Sequence, residues 1–180
     1  MSEVGSEALE ALRRRSGVAL TADGELLYLG RPIANERVVE LFNRGLDVRE
    51  DGEVTLTVGR FWCYPDVAGV ARFVRRIRPD PDGGVATLAS GHELPLAGSA
   101  IGYGPDDRFY VWFEGVRGPA RVLREAHQAL IGLMADDPAD GAGALGMLAE
   151  IPGPGAPRPG NLTTSTGFRR RSGPVARDGA

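Results

Sequence analysis

Apolar positions near the start of the chain fall into two periods. Val18-Ala19-Leu20 and Leu26-Leu27-Tyr28-Leu29 read as short strands around Asp23-Gly24, a pair suited to a tight turn with positive φ. From Asn35 the period becomes helical, with Val38, Val39, Phe42 and Leu46 on one face. Asn35 can cap the first free amides, and Glu36 and Glu40 lie toward the positive end of the helix dipole. Gly45 stands where a C-cap glycine would end the helix. The stretch from Gly30 to Phe42 therefore joins a hairpin to a helix, and the strands on either side are the natural cover for the helix face.

Alternation returns after the helix. Leu46 to Arg49 and Val54 to Val58 flank Asp51-Gly52, with Val54, Leu56 and Val58 facing one way. The second strand is expected to run on through Phe61, Trp62, Cys63 and Tyr64 until Pro65 interrupts it. Val70 to Ile77 fits helix or strand. The strand reading is taken because the turn Asp80 to Gly84 follows and Val85 to Ala89 can pair back. His92 to Leu96 makes one more short strand. Arg108-Phe109-Tyr110-Val111-Trp112-Phe113 is apolar on both faces, as in a strand covered on both sides or one at an interface. Pro119 to Ala135 predicts the second main helix, with Pro119 in its first turn. Val122, Ala126, Leu130 and Leu133 form its stripe, and Arg121, Arg124, Glu125 and Gln128 face water. Ser6 to Arg15 predicts a short N-terminal helix with Leu9 and Leu12 on one side, and Ala144 to Ile151 a further amphipathic turn or two. Pro152, Pro154, Pro157 and Pro159 open a stretch without apolar period, read as a disordered tail.

The fold class is α+β: mainly antiparallel hairpins packed with two main helices. Residues 1–16 form an N-terminal helix or arm, and 17–136 the α+β domain, divisible near 65–70 into two small repeated halves. Residues 137–151 form a linker with a short helix, and 152–180 the tail. Asp23-Gly24, Asp51-Gly52 and Asp82-Gly83 each precede a strand-like run. That recurrence fits a repeated hairpin unit, and equally fits the commonness of Asp-Gly in hairpin turns.

Composition narrows the chemistry. The 180 residues carry a net charge of −3, which gives no reason to expect a nucleic-acid partner. No run is long and apolar enough for a membrane span. The acidic start, Met1 to Glu7, is unlike a secretory signal, and a cytoplasmic protein is expected. Cys63 is alone, so neither an internal disulfide nor a cysteine-based zinc site can form. All 21 basic residues are arginine. That removes the phosphate-loop lysine and the lysine that carries pyridoxal phosphate. It fits the coding bias of a GC-rich genome, as does the high content of Gly, Ala and Pro.

Candidate chemistry is sparse. His92 and His127 are the only histidines. His127 lies near the edge of the second helix's stripe, a structural position. His92 follows Ser90-Gly91 and adjoins Glu93, but neighbours in a strand point to opposite faces, which argues against their cooperation. Asp136, Asp137 and Asp140 could bind a divalent cation, although a polar linker accounts for them. Arg13 to Arg15 and Arg169 to Arg171 read as solvated charge runs. No metal and no cofactor is expected. Arg60-Phe61-Trp62-Cys63-Tyr64-Pro65-Asp66 gathers a cation, three aromatics and a thiol, which suits an anionic or planar ligand. The competing reading packs Phe61 or Trp62 in the core. Arg60, Trp62, Tyr64 and His92 are the ligand-binding candidates, on the expectation that they line one pocket.

The order of Asp23-Gly24, Gly30-x-Pro32-Ile33, Val38-Val39-x-Leu41-Phe42, Leu46, Asp51-Gly52 and Thr55-Leu56-Thr57-Val58 resembles a bacterial domain of unknown function, the DUF1285 family. Phe109-Tyr110-Val111, Gly115 and the helix from Val122 resemble its closing strand and helix. Thr57-Val58-Gly59-Arg60 departs from it, since that family tends to Thr-Pro-Val-Glu there, and Pro65 to Gly69 replaces its acidic stretch. The resemblance implies an α+β fold of repeated strand-and-helix units and a signalling or regulatory role. It supplies no catalytic residues. The leading expectation is a non-enzymatic module that binds a small anionic ligand or a protein partner. The alternatives are a hydrolase using His92 with a distant acid, and a structural homodimer joined along the Phe109 to Phe113 strand.

Overall fold

The computed structural model describes residues 3–81, 83–136 and 145–162. The elements are α1 (Glu3–Arg14), β1 (Val18–Leu20), β2 (Leu26–Tyr28), β3 (Arg31–Pro32), α2 (Glu36–Gly45), β4 (Leu46–Val48), β5 (Val54–Val58), β6 (Phe61–Cys63) and β7 (Asp66–Val67). There follow β8 (Arg72–Asp80), β9 (Gly83–Leu88), β10 (Glu93–Pro95), β11 (Ala100–Tyr103), β12 (Phe109–Trp112), β13 (Ala120–Val122), α3 (Arg124–Asp136) and β14 (Leu145–Met147). This is an α+β fold, and its strand pairs are antiparallel except β1 with β7, β8 with β13 and β11 with β14.

Three sheets result. The first hairpin pairs Leu20 with Leu26 and gains β3 and β7 in the order β3-β2-β1-β7. The second pairs Leu46 with Leu56 and gains β6. The remaining seven strands run β10-β9-β8-β13-β12-β11-β14. Two cores lie on opposite faces of that large sheet. Val74, Ile77, Ile101, Val111 and Val122 meet Ala126, Leu130 and Leu133 of α3 on one face. Phe73, Ala100, Tyr110 and Trp112 meet Leu20, Leu26, Val48 and Leu56 of the small sheets on the other. The two halves of the chain thus share a core, and each buried Leu, Ile or Phe contributes about 1.5–3 kcal/mol.

β12 shows why its sequence is apolar at every position. Phe109 and Val111 enter one core, Tyr110 and Trp112 the other. β11 and β13 flank it, so β12 is an internal strand and offers no edge to a second copy.

Asn35 caps α2 as expected, its Oδ1 accepting from the amides of Arg37 at 3.0 Å and Val38 at 3.4 Å. Val39 and Phe42 are half-buried against the second core. Gly45 ends the helix without a left-handed cap, because Leu46 leaves at once as a strand with φ −71°.

Other expectations are corrected. β5 stops at Val58, and Gly59, at φ +59°, turns the chain so that β6 pairs back onto β5. The second main helix begins at Arg124 rather than Pro119, because Ala120–Val122 is taken as a strand between β8 and β12. Val122 is therefore a sheet residue, and Arg121 is buried instead of facing water. Residues 145–147 form a strand parallel to β11 instead of a helical turn. Residues 152–162 do not trail off: Trp112 Nε1 donates to the Ala156 carbonyl at 3.1 Å, and Leu162 is buried in the second core. Asp82, Asp137, Asp140 and Arg169 to Arg171 lie outside the described residues.

Candidate functional site

The four sequence candidates do not share one pocket. The turn at Gly59 presents Trp62 and Tyr64 to α1, and the helix lies over them. The Arg13 guanidinium stands 3.8 Å from the Trp62 ring centroid and that of Arg14 4.2 Å from the Tyr64 ring. The two rings meet edge to face at 5.2 Å. Arg14 also pairs with Glu53 at 2.8 Å, and that contact holds the Glu53 carboxyl below its ordinary value. The Tyr64 amide donates to the Arg13 carbonyl at 3.1 Å. Trp62 and Tyr64 therefore anchor the N-terminal helix. Arg60 stays exposed and lies 5.1 Å from the Phe61 ring centroid.

His92 is exposed in the turn before β10 and lines a different cleft, of about 500 Å³, with Asn43, Asp47 and Arg72. Among the described residues no carboxylate pairs with its ring. Ser90 Oγ accepts from the His92 backbone amide at 3.5 Å, which makes it a turn residue rather than a nucleophile aimed at the imidazole. The Asp47 carboxylate is taken by Arg72 at 2.9 Å. Burial pulls the Arg72 guanidinium below its ordinary value, and Asp47 opposes that shift.

A second cleft, of about 480 Å³, lies under residues 155–158 beside Trp112. Its charges are largely spent, because Arg117 pairs with Glu50 at 2.8 Å and Arg49 with Asp51 at 3.5 Å.

The largest of these three openings is a half-open groove of about 1070 Å³ between α2 and the β8–β9 face. Its apolar lining is Ile33, Val39, Leu88 and Leu123. It adjoins the His92 cleft, since Asn43, Leu88 and Ala89 line both. Asn43 is buried where they meet, its amide donating to the Val39 carbonyl at 2.9 Å.

Arg75 and Arg76 give this groove its chemistry. Strand side chains alternate, so two neighbours should not both face solvent. Here they do, because the register slips between Val74 and Arg76, placing an extra residue in β8. Val74 and Ile77 bury into the same core three positions apart, where an unbroken strand would space them by two. That spacing is the signal in the sequence that could have located the site. Neither arginine has a charged partner among the described residues. Glu25, Glu36 and Glu125 on the same lining also lack one, whereas Asp23 pairs with Arg121 at 3.1 Å and Glu40 with Arg44 at 2.5 Å.

Sequence reasoning also missed a polar cluster between the layers. Arg121 crosses from β13 to the first hairpin turn, donating to the Ala22 carbonyl and pairing with Asp23. Tyr110 donates to Asp106 Oδ2 at 2.8 Å, and the Asp106 Oδ1 atom is buried without a hydrogen-bond partner. Burial, and then the Asp106 hydrogen bond, push the Tyr110 phenol well above its ordinary value. The cluster pins two loops and opens onto none of the three clefts through Asp106 or Tyr110.

Among the described residues no group of three or more His, Cys, Asp or Glu side chains is placed to hold a metal ion. Nor is any helix among them long and apolar enough to cross a membrane.

Two solved structures share the fold. One is a DUF1285 family protein from Silicibacter pomeroyi, with a TM-score of 0.53 and 20% identity over 65% of this chain and 68% of that one. The other is a DUF1285 family protein from Shewanella baltica, with a TM-score of 0.50 and 15% identity over 65% of this chain and 91% of that one. At these identities the likeness is one of fold. No protein-family model matches the sequence, and no curated protein does.

Proposed function

We propose that this DUF1285-like domain is a non-enzymatic binding module with a regulatory role in the cytoplasm, and that its groove along α2 seats a small ligand with one anionic group on an apolar body. The observation that carries the reading is the bulge in β8, which turns two adjacent arginines without charged partners into the groove. A bulge costs ladder pairing, and bulges often serve to re-aim side chains at a site. Paired guanidinium forks suit a carboxylate or phosphate through bidentate hydrogen bonds. The apolar lining from Val39 and Leu88 suits a body that is not itself charged. Glu25, Glu36 and Glu125 repel a chain of phosphates, which turns the site away from nucleic acid and toward a single anionic group.

The test is a thermal-shift and calorimetry panel of carboxylates, phosphates and nucleotides. A ligand at about 100 times its Kd adds about 2.7 kcal/mol of stability. Wild type is expected to gain this with at least one anion. The Arg75→Gln/Arg76→Gln double variant is expected to lose the gain while melting at the wild-type temperature without ligand. Equal stabilisation of both proteins, or of neither by any anion, would overturn the reading.

A further inference from the structure

The N-terminal helix is docked the wrong way round for a simple cover. On α1 the half-buried side chains are Glu10 and Arg13, and Arg14 joins them in gripping β6 and Glu53. Ala8, Leu9, Ala11 and Leu12 are exposed, with Leu9 at 47% and Leu12 at 68%. A helix normally buries its apolar stripe and wets its charges. Here the charges are spent on aromatic rings, and the stripe is presented to solvent. The surroundings repeat the pattern. Among the described residues, five of the nine large exposed hydrophobic side chains lie on or beside α1: Leu9 and Leu12 themselves, Phe61 on the strand it lies against, and Tyr28 and Leu29 at Gly17 just past its end. Leu29 is 71% exposed and held at φ +48°, a conformation that leucine rarely adopts.

The charge order along the helix indicates what covers this face. Glu3, Glu7 and Glu10 all precede Arg13, Arg14 and Arg15. Glu7 and Arg15 have no charged partner among the described residues. Running the same helix in the opposite direction brings Glu7 of one copy toward the Arg15 end of the other and opposes the two dipoles. A two-fold axis near Glu10 sets Leu12 of one copy over Ala8 of the other, large against small. A surface complementary to itself about a two-fold axis is what an isologous dimer requires.

We propose that the protein forms a homodimer through an antiparallel pair of α1 helices, with Leu9 and Leu12 in the seam and Glu7 of each copy toward Arg15 of the other. A helix pair alone falls short of the roughly 800 Å² per partner of a standard interface. Tyr28 and Leu29, beside Gly17 just past the end of α1, add exposed apolar area there. The proposal stands apart from the groove and does not use Arg75 or Arg76.

Sedimentation velocity on the full chain across a concentration series tests it. Wild type is expected to pass from monomer to dimer, and Leu12→Glu to stay monomeric with unchanged circular dichroism, since Leu12 is 68% exposed within its own copy. Glu7→Arg and Arg15→Glu, each alone, are expected to weaken association about tenfold or more by placing like charges together. Mixed in equal amounts, these two variants are expected to associate again, because an antiparallel pair then matches every reversed charge. Wild type that stays monomeric throughout, a dimer that survives Leu12→Glu, or a mixture no tighter than its components would overturn the proposal.

Discussion

The Cβ that Gly45 lacks would stand 2.1 Å from the Thr57 carbonyl oxygen. In an exposed helix, replacing glycine by alanine gains about 1 kcal/mol. At Gly45 the backbone of α2 is pressed onto β5, and Thr57 belongs to a paired strand that cannot retreat. Gly45→Ala is therefore expected to destabilise the protein by about 1–3 kcal/mol, the cost of forcing extra volume into a packed contact. Chemical denaturation measures it, and a stabilised variant would mean that α2 does not sit against β5.

Trp62 and Tyr64 hold α1 through ring faces rather than through a core. Each cation over a ring contributes about 0.5–1 kcal/mol at an exposed site. Trp62→Leu is expected to leave the global melting temperature within a few degrees while amide exchange in α1 speeds up. Hydrogen exchange read by mass spectrometry separates the two effects. Unchanged protection in residues 3–14 would count against this account of the docking.

Leu162 lies in the second core after a stretch of four prolines. Leu162→Ala is expected to cost about 2–5 kcal/mol, as in other fully buried leucines. The same change at Leu41 is expected to cost far less, because Leu41 is 47% exposed. Comparing the two by urea titration tests whether residues 152–162 belong to the folded unit.

Period and turn chemistry made the first hairpin, the Asn35 cap, the β4–β5 hairpin and the buried stripe of α3 legible in the sequence. They are local signals, and nothing distant overrules them. Ala120–Val122 was not legible as a strand, because its partners β8 and β12 are supplied from elsewhere in the chain. Residues 152–162 misled for a related reason: proline removes regular periods, yet Leu162 and the Ala156 carbonyl still find partners. The aromatic segment was singled out as a binding surface for an anionic or planar ligand, and its Trp62 and Tyr64 rings face the chain's own helix. His92 and Arg60 had no geometry to join them to it. The groove arginines sat in plain view as Arg75-Arg76, and only the three-residue spacing from Val74 to Ile77 marks the bulge that aims them.

Tyr110 gives the fold a sensitivity to alkaline pH. Its ring is buried, its hydroxyl donates to Asp106 Oδ2 at 2.8 Å, and a phenolate there would face that carboxylate. Burial and Asp106 both push the phenol above its ordinary value, and Arg121 opposes them only in part. The sign follows from linkage. Below pH of about 10 the phenol is protonated in the folded and unfolded chains alike, and its contribution is fully present. Above that pH the unfolded chain loses the proton and the folded chain keeps it, so stability falls by up to about 1.4 kcal/mol per pH unit. Tyr110→Phe removes this dependence, at a cost near neutrality of about 1–3 kcal/mol for the hydrogen bond it takes from an already under-satisfied carboxylate. Urea titrations of both proteins at pH values on either side of 10 are therefore expected to converge as pH rises. Parallel curves would show that the Tyr110 hydroxyl is exposed to water and that the pinned loop at Asp106 is not closed.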